Sequence, residues 1–298
     1  MQVDDILATS PKVLTQEQRE FYFENGYLLL ESFVPQEWID RLLAVTDRMI
    51  ERSREVTESD TIFDVESGHS ASEPRLRRVS SPVDHDPVYW EYASQSMIPD
   101  VARDLVGPDV KFHHSKLNFK WPKGGEEVKW HQDISFWPHT NYSPLTIGTY
   151  LKDVGINQGP MGILPGSHKG TLFDQYGADG NWVGCLGDDT VAQLDLQRVR
   201  YLTGSAGSVT VHNCRAIHGS KPNQSAKGRP LLLNVYSAAD AYTYTPNPIP
   251  TPHCGDIVRG KPARWAHHDE RPCQIPPDWS SGYISIYAVQ QKEEQRSE

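Results

Sequence analysis

The feature that most constrains this chain is a change of rhythm near residue 107. Upstream of it, apolar residues recur at helical spacing; from Lys111 onward they come in short runs, broken by Gly, Pro, Asn and Asp. Helices first and many short strands afterwards indicate an α+β chain whose larger part is a β-sandwich or barrel of the jelly-roll kind, flanked by N-terminal helices. Thr15-Gln-Glu-Gln18 has the form of a capping box, and Gly26 supplies the stop for that helix. Tyr27-Leu-Leu-Leu30 reads as a buried strand. Pro35 opens a second helix carrying an apolar stripe of Trp38, Ile39, Leu42, Leu43, Met49 and Ile50, and a third covers 98–105 before Gly107-Pro108. Strands are expected at 111–112, 117–119, 147–151, 161–164, 208–211 and 231–236.

Residues 54–86, polar and without a sustained period, read as a long loop and a candidate lid. Residues 174–204 read as another long connection, and 290–298 as a tail expected to fray. There is no internal repeat, so the expectation is one unit spanning 1–298, helical over about 14–107 with a jelly-roll core over about 110–290.

Composition narrows the function. With 39 acidic against 29 basic residues the net charge is −10, which argues against a nucleic-acid surface, an anionic membrane and a polyphosphate cradle. No apolar run reaches membrane-spanning length, and the first residues lack the order of a secretory signal. The four cysteines are far apart and form no Cys-x-x-Cys pair, so reduced thiols in a cytoplasmic protein are expected.

Among twelve histidines, context selects the ones worth attention. His85-Asp86 are sequential and sit in the polar stretch, while His267-His268-Asp269 lies between arginines with few strand formers around it. His131-Gln132-Asp133 differs, because Val128, Trp130, Ile134, Phe136 and Trp137 favour an extended, half-buried segment. On a strand, residues i and i+2 share a face, so the imidazole of His131 and the carboxylate of Asp133 can converge on one ion. His218, after the strand-like 208–211, completes a two-histidine, one-carboxylate face that leaves positions open on an octahedral ion. Such a face suits Fe(II) that must bind a cosubstrate and O2 together. His212 is the rival third ligand. Ser220 and Arg229 follow His218, and an arginine fork with a neighbouring hydroxyl can hold the far carboxylate of a chelating cosubstrate.

With those residues in view, the chain resembles the phytanoyl-CoA dioxygenase superfamily of Fe(II)/2-oxoglutarate-dependent oxygenases. The resemblance runs from Glu24-Asn-Gly-Tyr-Leu-Leu-Leu30 through His131-Gln-Asp133, Asn157-Gln-Gly-Pro-Met-Gly-Ile-Leu-Pro-Gly-Ser-His168 and Ile217-His-Gly-Ser220 to Arg229. It implies a double-stranded β-helix of cupin-like form, with His131, Asp133 and His218 as iron ligands. It also implies that Arg229 and Ser220 grip 2-oxoglutarate. Trp130-His-Gln-Asp133 with Phe136-Trp137 looks closest to ectoine-hydroxylase-like members, and Leu117-Asn118-Phe119-Lys120 looks like the segment whose asparagine touches 2-oxoglutarate. Pro138-His-Thr-Asn-Tyr142 departs from that subgroup, which has acidic and Gly-rich residues there.

The activity implied is decarboxylation of 2-oxoglutarate to succinate and CO2, coupled to hydroxylation or another two-electron oxidation of a small polar metabolite. Because Asp133 occupies the carboxylate position, halogenation is disfavoured. Trp130, Phe136, Trp137, His139 and Lys116 are the candidate substrate contacts, with Tyr142 and Lys120 nearby in sequence. The partner expected is a small molecule, not nucleic acid or membrane, and a homodimer is left open. Two alternatives stand beside this: a cupin-like metal or ligand-binding protein without turnover, and an oxygenase acting on an acyl-CoA.

Overall fold

The computed structural model describes residues 1–122, 124–283 and 285–290. Apart from Gln290, the expected fraying tail lies outside the described residues. A short helix α1 (Val3–Ala8) precedes α2 (Gln16–Asn25), which starts and stops where the sequence requires. Thr15 Oγ1 accepts from the Gln18 amide at 3.2 Å and the Gln18 side chain accepts from the Thr15 amide at 2.8 Å. Gly26 closes the helix in the left-handed conformation at φ 81°. Strand β1 (Tyr27–Leu30) follows, and then α3 (Gln36–Ser53), which buries Ile39, Leu42, Val45 and Met49 along one face.

The stretch expected as a loop at 54–86 contains two strands, β2 (Phe63–Val65) and β3 (Leu76–Ser80), paired antiparallel. Their polar composition concealed them. Arg77 and Arg78 are drawn inside by partners from other parts of the chain, so no solvated face of alternating polarity announces a strand. Asp86 then caps α4 (Pro87–Gln95), its carboxylate accepting from the Val88 amide at 3.0 Å, and α5 (Ile98–Val106) ends at Gly107.

The remaining strands are β4 (Val110–Asn118), β5 (Val128–His131), β6 (Leu145–Tyr150), β7 (Met161–Ile163), β8 (Arg200–Tyr201), β9 (Val209–Asn213), β10 (His218–Ser220), β11 (Leu231–Ala238) and β12 (Ile257–Arg259). The runs expected at 111–112 and 117–119 are therefore one long strand. The long connection at 174–204 holds a short helix, α6 (Asp188–Val191), and a 3-10 turn (Leu196–Arg198) besides β8.

Two sheets form, in the order β1-β9-β6-β11-β4-β3-β2, with β12 beside β4, and β5-β10-β7-β8. This is the expected jelly-roll arrangement, as two sheets without a closed barrel among the described residues. Alternation assigns the faces of the larger sheet: Leu117, Leu145, Ile147, Val209 and Val211 join the helices α3 to α5 in one apolar core. The intervening residues, among them Lys116, Thr146 and His212, face the smaller sheet. A register shift between Val235 and Tyr236 leaves His113 as an extra residue in β4. That bulge switches the parity of β4, so Phe112 packs on the helices while His114, Lys116 and Asn118 line the space between the sheets. Among the described residues no helix is long and apolar enough to cross a membrane.

The Gly-Pro and Pro-Gly-Ser-His elements have a structural reason. Gly159 has φ 65°, and a Cβ there would collide with the Lys221 carbonyl oxygen. A Cβ on Gly26 would strike the ring of His168, whose Nε2 lies 3.1 Å from the Phe23 carbonyl. The Pro-Gly-Ser-His element thus locks the end of α2 against the turn after β7, while Gly159 lies close against the chain that follows β10.

Candidate metal centre and its cavity

Strands β5 and β10 pair antiparallel with His131 directly opposite His218, bringing the two ring centroids to 4.1 Å. Each ring is oriented by its own backbone: His131 Nδ1 sits 2.8 Å from the Lys129 carbonyl and His218 Nδ1 sits 2.9 Å from that of Ala216. A carbonyl can only accept, so each Nδ1 carries the proton and each Nε2 keeps its lone pair for a metal. β5 ends at His131, Gln132 stays extended, and Asp133 opens a 3-10 turn, so the His-x-Asp alternation survives past the end of the strand.

Asp133 Oδ1 lies 3.6 Å from His131 Nε2 and 3.9 Å from His218 Nε2, and the three potential ligand atoms all lie within 4.8 Å of one another. Oδ2 is held from behind by Thr146 Oγ1 at 3.0 Å and His212 Nε2 at 3.2 Å. His212, the rival ligand, thus backs the carboxylate instead of joining the triad. Gln132, facing away, donates to the carbonyls of Thr171 (3.1 Å) and Arg215 (2.7 Å) and fixes the strand end from outside.

Burial opposes the charge on Asp133, but Lys116 and the neighbouring imidazoles outweigh it and hold the carboxyl well below its usual range. Burial, with His131 and His212 beside it, keeps His218 neutral. A carboxylate and two neutral imidazoles with free Nε2 atoms on one face are the donor set an octahedral Fe(II) accepts.

Arg229, immediately before β11, lines the same cavity. Its backbone exchanges hydrogen bonds with Lys120 at 2.9 and 3.2 Å, and the residue is 3% exposed. Nε and Nη1 have no hydrogen-bond partner. Burial lowers its pKa, opposed by Tyr287 and Tyr150. A buried, unsatisfied guanidinium is expensive to leave unmatched, and a ligand carboxylate supplies the match. Ser220 and Asn118 line this cavity too.

The expected substrate contacts divide. Phe136, Trp137 and Lys116 line the cavity. Trp130, next to His131 and so on the opposite face, packs among Leu164, Leu186, Val199 and Ile217. His139 lies one layer behind Trp137, its Nδ1 donating to the Trp137 carbonyl at 2.6 Å. Tyr142 donates to the Pro272 carbonyl under the guanidinium groups of Arg215 and Arg271. Lys120 is committed to three carbonyls, those of Glu126 (2.6 Å), Ser220 (3.1 Å) and Lys221 (2.6 Å).

Among the cavity-wall residues that sequence reasoning missed are Arg78, His114, Tyr283 and Tyr287. For His114 a signal existed, since His114-Ser-Lys-Leu-Asn118 is polar at every second position. Arg78 ends a short basic run, Arg75-Leu-Arg-Arg78, whose pattern does not single out the residue that faces inward, and nothing local marks the two tyrosines.

Fold and site together define a class: jelly-roll proteins in which facing strands carry an open two-histidine, one-carboxylate set beside a buried arginine. The family model of phytanoyl-CoA dioxygenase (PhyH) matches residues 22–231, and the chain belongs to that family. A probable alpha-ketoglutarate-dependent hypophosphite dioxygenase of Stutzerimonas stutzeri is 32% identical over 281 residues, covering 89% of this chain and 92% of the relative. The ectoine dioxygenase of Bordetella bronchiseptica is 26% identical over 252 residues, 76% of each chain. The crystal structure of EctD from S. alaskensis with bound Fe shares the fold at a TM-score of 0.64 and 23% identity, over 87% of this chain and 89% of that one.

Proposed function

We propose that the chain is an Fe(II)- and 2-oxoglutarate-dependent dioxygenase that hydroxylates, or otherwise oxidises, a small polar metabolite. One observation carries this reading: the open His131, Asp133, His218 face and the unsatisfied Arg229 guanidinium share one cavity. A structural zinc site has little use for either feature. The names of the relatives support it, since they pair alpha-ketoglutarate dependence with hypophosphite and dioxygenase activity with ectoine, both small and polar. A human relative, 24% identical, is a peroxisomal phytanoyl-CoA dioxygenase, but the net charge of −10 argues against an acyl-CoA with its phosphates as substrate here.

In this reading residues 1–298 act as one oxygenase unit. His131, Asp133 and His218 hold the metal, and Arg229, with Ser220 and Asn118, orients 2-oxoglutarate. When bound, Fe(II) and 2-oxoglutarate supply an O2-dependent oxidation that releases succinate and CO2. The protein's part is geometric and electrostatic. Thr146 and His212 fix Asp133, the Lys129 and Ala216 carbonyls fix the imidazole tautomers, and Phe136 and Trp137 wall the cavity against water.

The test is anaerobic titration of Fe(II) with 2-oxoglutarate, following the visible charge-transfer band of the chelate. The parent is expected to show the band, His218→Ala to lose it and Arg229→Ala to need at least tenfold more 2-oxoglutarate. No band, with zinc held tightly instead, would overturn the reading in favour of a binding protein without turnover.

A further inference from the structure

The cavity holds more positive charge than the proposed cofactors can use. Fe(II) and Arg229 are cancelled by Asp133 and the 2-oxoglutarate dianion. Arg78 and Lys116 remain, and among the described residues lining the cavity Asp133 is the lone carboxylate. Arg78 is 1% exposed; its Nε donates to Asn118 Oδ1 at 3.1 Å, while Nη1 has no partner. Lys116 makes no ion pair with a carboxylate among the described residues.

The two cations belong to one wall. Arg78 in β3 stands opposite Asn118 in β4, and Lys116 lies two residues from Asn118 on the same face. His114, two residues further along that face, is fully buried, and its Nε2 is also without a partner. Its Nδ1 meets His113 Nδ1 at 2.6 Å, so the ring orientation is set and Nε2 is turned to other use. Phe136, Trp137 and Ile249 line the same cavity with apolar surface, Trp137 with its ring centroid 5.9 Å from that of His114. A buried guanidinium, a half-buried ammonium and an unsatisfied imidazole nitrogen are costly to keep unless a ligand meets them.

We propose that Arg78 and Lys116, with His114 beside them, form a second anion-binding wall, and that the substrate is a small oxyanion whose charged end docks there. This rests on the oxygenase reading above. The shared chemistry is an acidic oxygen cluster, met by carboxylates, phosphonates and phosphinates alike, with the carbon or hydrogen to be oxidised directed towards the triad. It runs against a cation held by stacking on the aromatic residues, and it gives Arg78, absent from the sequence-level candidates, a specificity role.

The experiment uses the Fe(II)·2-oxoglutarate complex under anaerobic conditions. Methylphosphonate, phosphite and propionate are titrated in, against propionamide and dimethyl methylphosphonate as neutral counterparts. At least one anion is expected to shift the charge-transfer band saturably without bleaching it, and the neutral compounds to leave it unchanged. In Arg78→Gln the anion's apparent affinity should fall tenfold or more, with partial recovery in Arg78→Lys. The 2-oxoglutarate titration of each variant is measured separately, so that a defect in cosubstrate binding is recognised as such. A band that forms but responds only to neutral compounds, or to none of the anions, overturns the substrate class alone. Anions that bleach the band by displacing 2-oxoglutarate overturn it too, and assign the wall to the cosubstrate. Absence of any band overturns the oxygenase reading and this inference with it.

Discussion

At the scale of single residues, the triad is built in layers, with the three proposed ligands oriented by the residues behind them. Asp133 can offer Oδ1 to a metal because Thr146 and His212 occupy Oδ2. Replacing His212 with Phe removes one of those donors while leaving all three ligands in place. Fe(II) affinity is then expected to fall roughly 10- to 100-fold, the usual effect of losing such a partner. Equilibrium Fe(II) titration against a competing chelator checks this, and an unchanged affinity would show that Thr146 alone holds the carboxylate. His131, Asp133, His218 and Arg229 were legible in the sequence because period-two alternation and motif order are local properties. The same alternation places Trp130 away from the metal, since it precedes His131 by one residue. Arg78 was not legible, because its place beside Asn118 is set by β3–β4 register across forty residues of chain.

At the scale of elements, Lys120 shows how a buried charge can be structural. Its ammonium gathers three carbonyls from the loop after β4 and the end of β10, and its backbone pairs with Arg229 at the start of β11. Burial pushes its pKa far down, aided by Arg229, so the three acceptors are what keep it in place. Lys120→Met would strand those carbonyls. A loss of roughly 3 kcal/mol or more in unfolding free energy is expected from orphaned acceptors to a charged donor, read by urea denaturation. The Km for 2-oxoglutarate should rise as the Arg229 turn loosens. A stable variant with normal Km would show that the backbone pairing suffices. Helices α2, α3 and α5 were legible because caps, proline and glycine mark their ends. β2 and β3 were hidden because Arg77 is neutralised by Asp64 and Glu126 while Arg78 faces the cavity, an arrangement that no local pattern encodes.

At the scale of the whole molecule, three histidines away from the metal ligands tie the β4 bulge to the turn after the triad. His113 meets His114 at the bulge, and its ring centroid lies 4.9 Å from that of His139. Burial drives all three towards the neutral form: His113 and His114 well below the ordinary histidine value, His139 down to about 4. A pKa lowered on folding means the stabilisation is complete above the unfolded value near 6.5 and is lost as pH falls, because only the unfolded chain takes up the proton. Each such group steepens the decline by up to about 1.4 kcal/mol per pH unit, so the three together approach roughly 4 kcal/mol per unit near pH 5. Glu66, which burial raises to about 7, opposes the limb by up to one proton over this range, and the carboxylates with lowered pKa add to it only at lower pH. Urea unfolding of the Fe(II)-loaded protein between pH 7.5 and 5 is expected to show that steep acid limb. In His139→Asn the limb should be shallower by about one proton, so the variant gains on the parent as the pH drops. Parallel limbs in parent and variant would mean that His139 takes up its proton in the folded state, and that the packing behind Trp137 opens to solvent before the molecule unfolds.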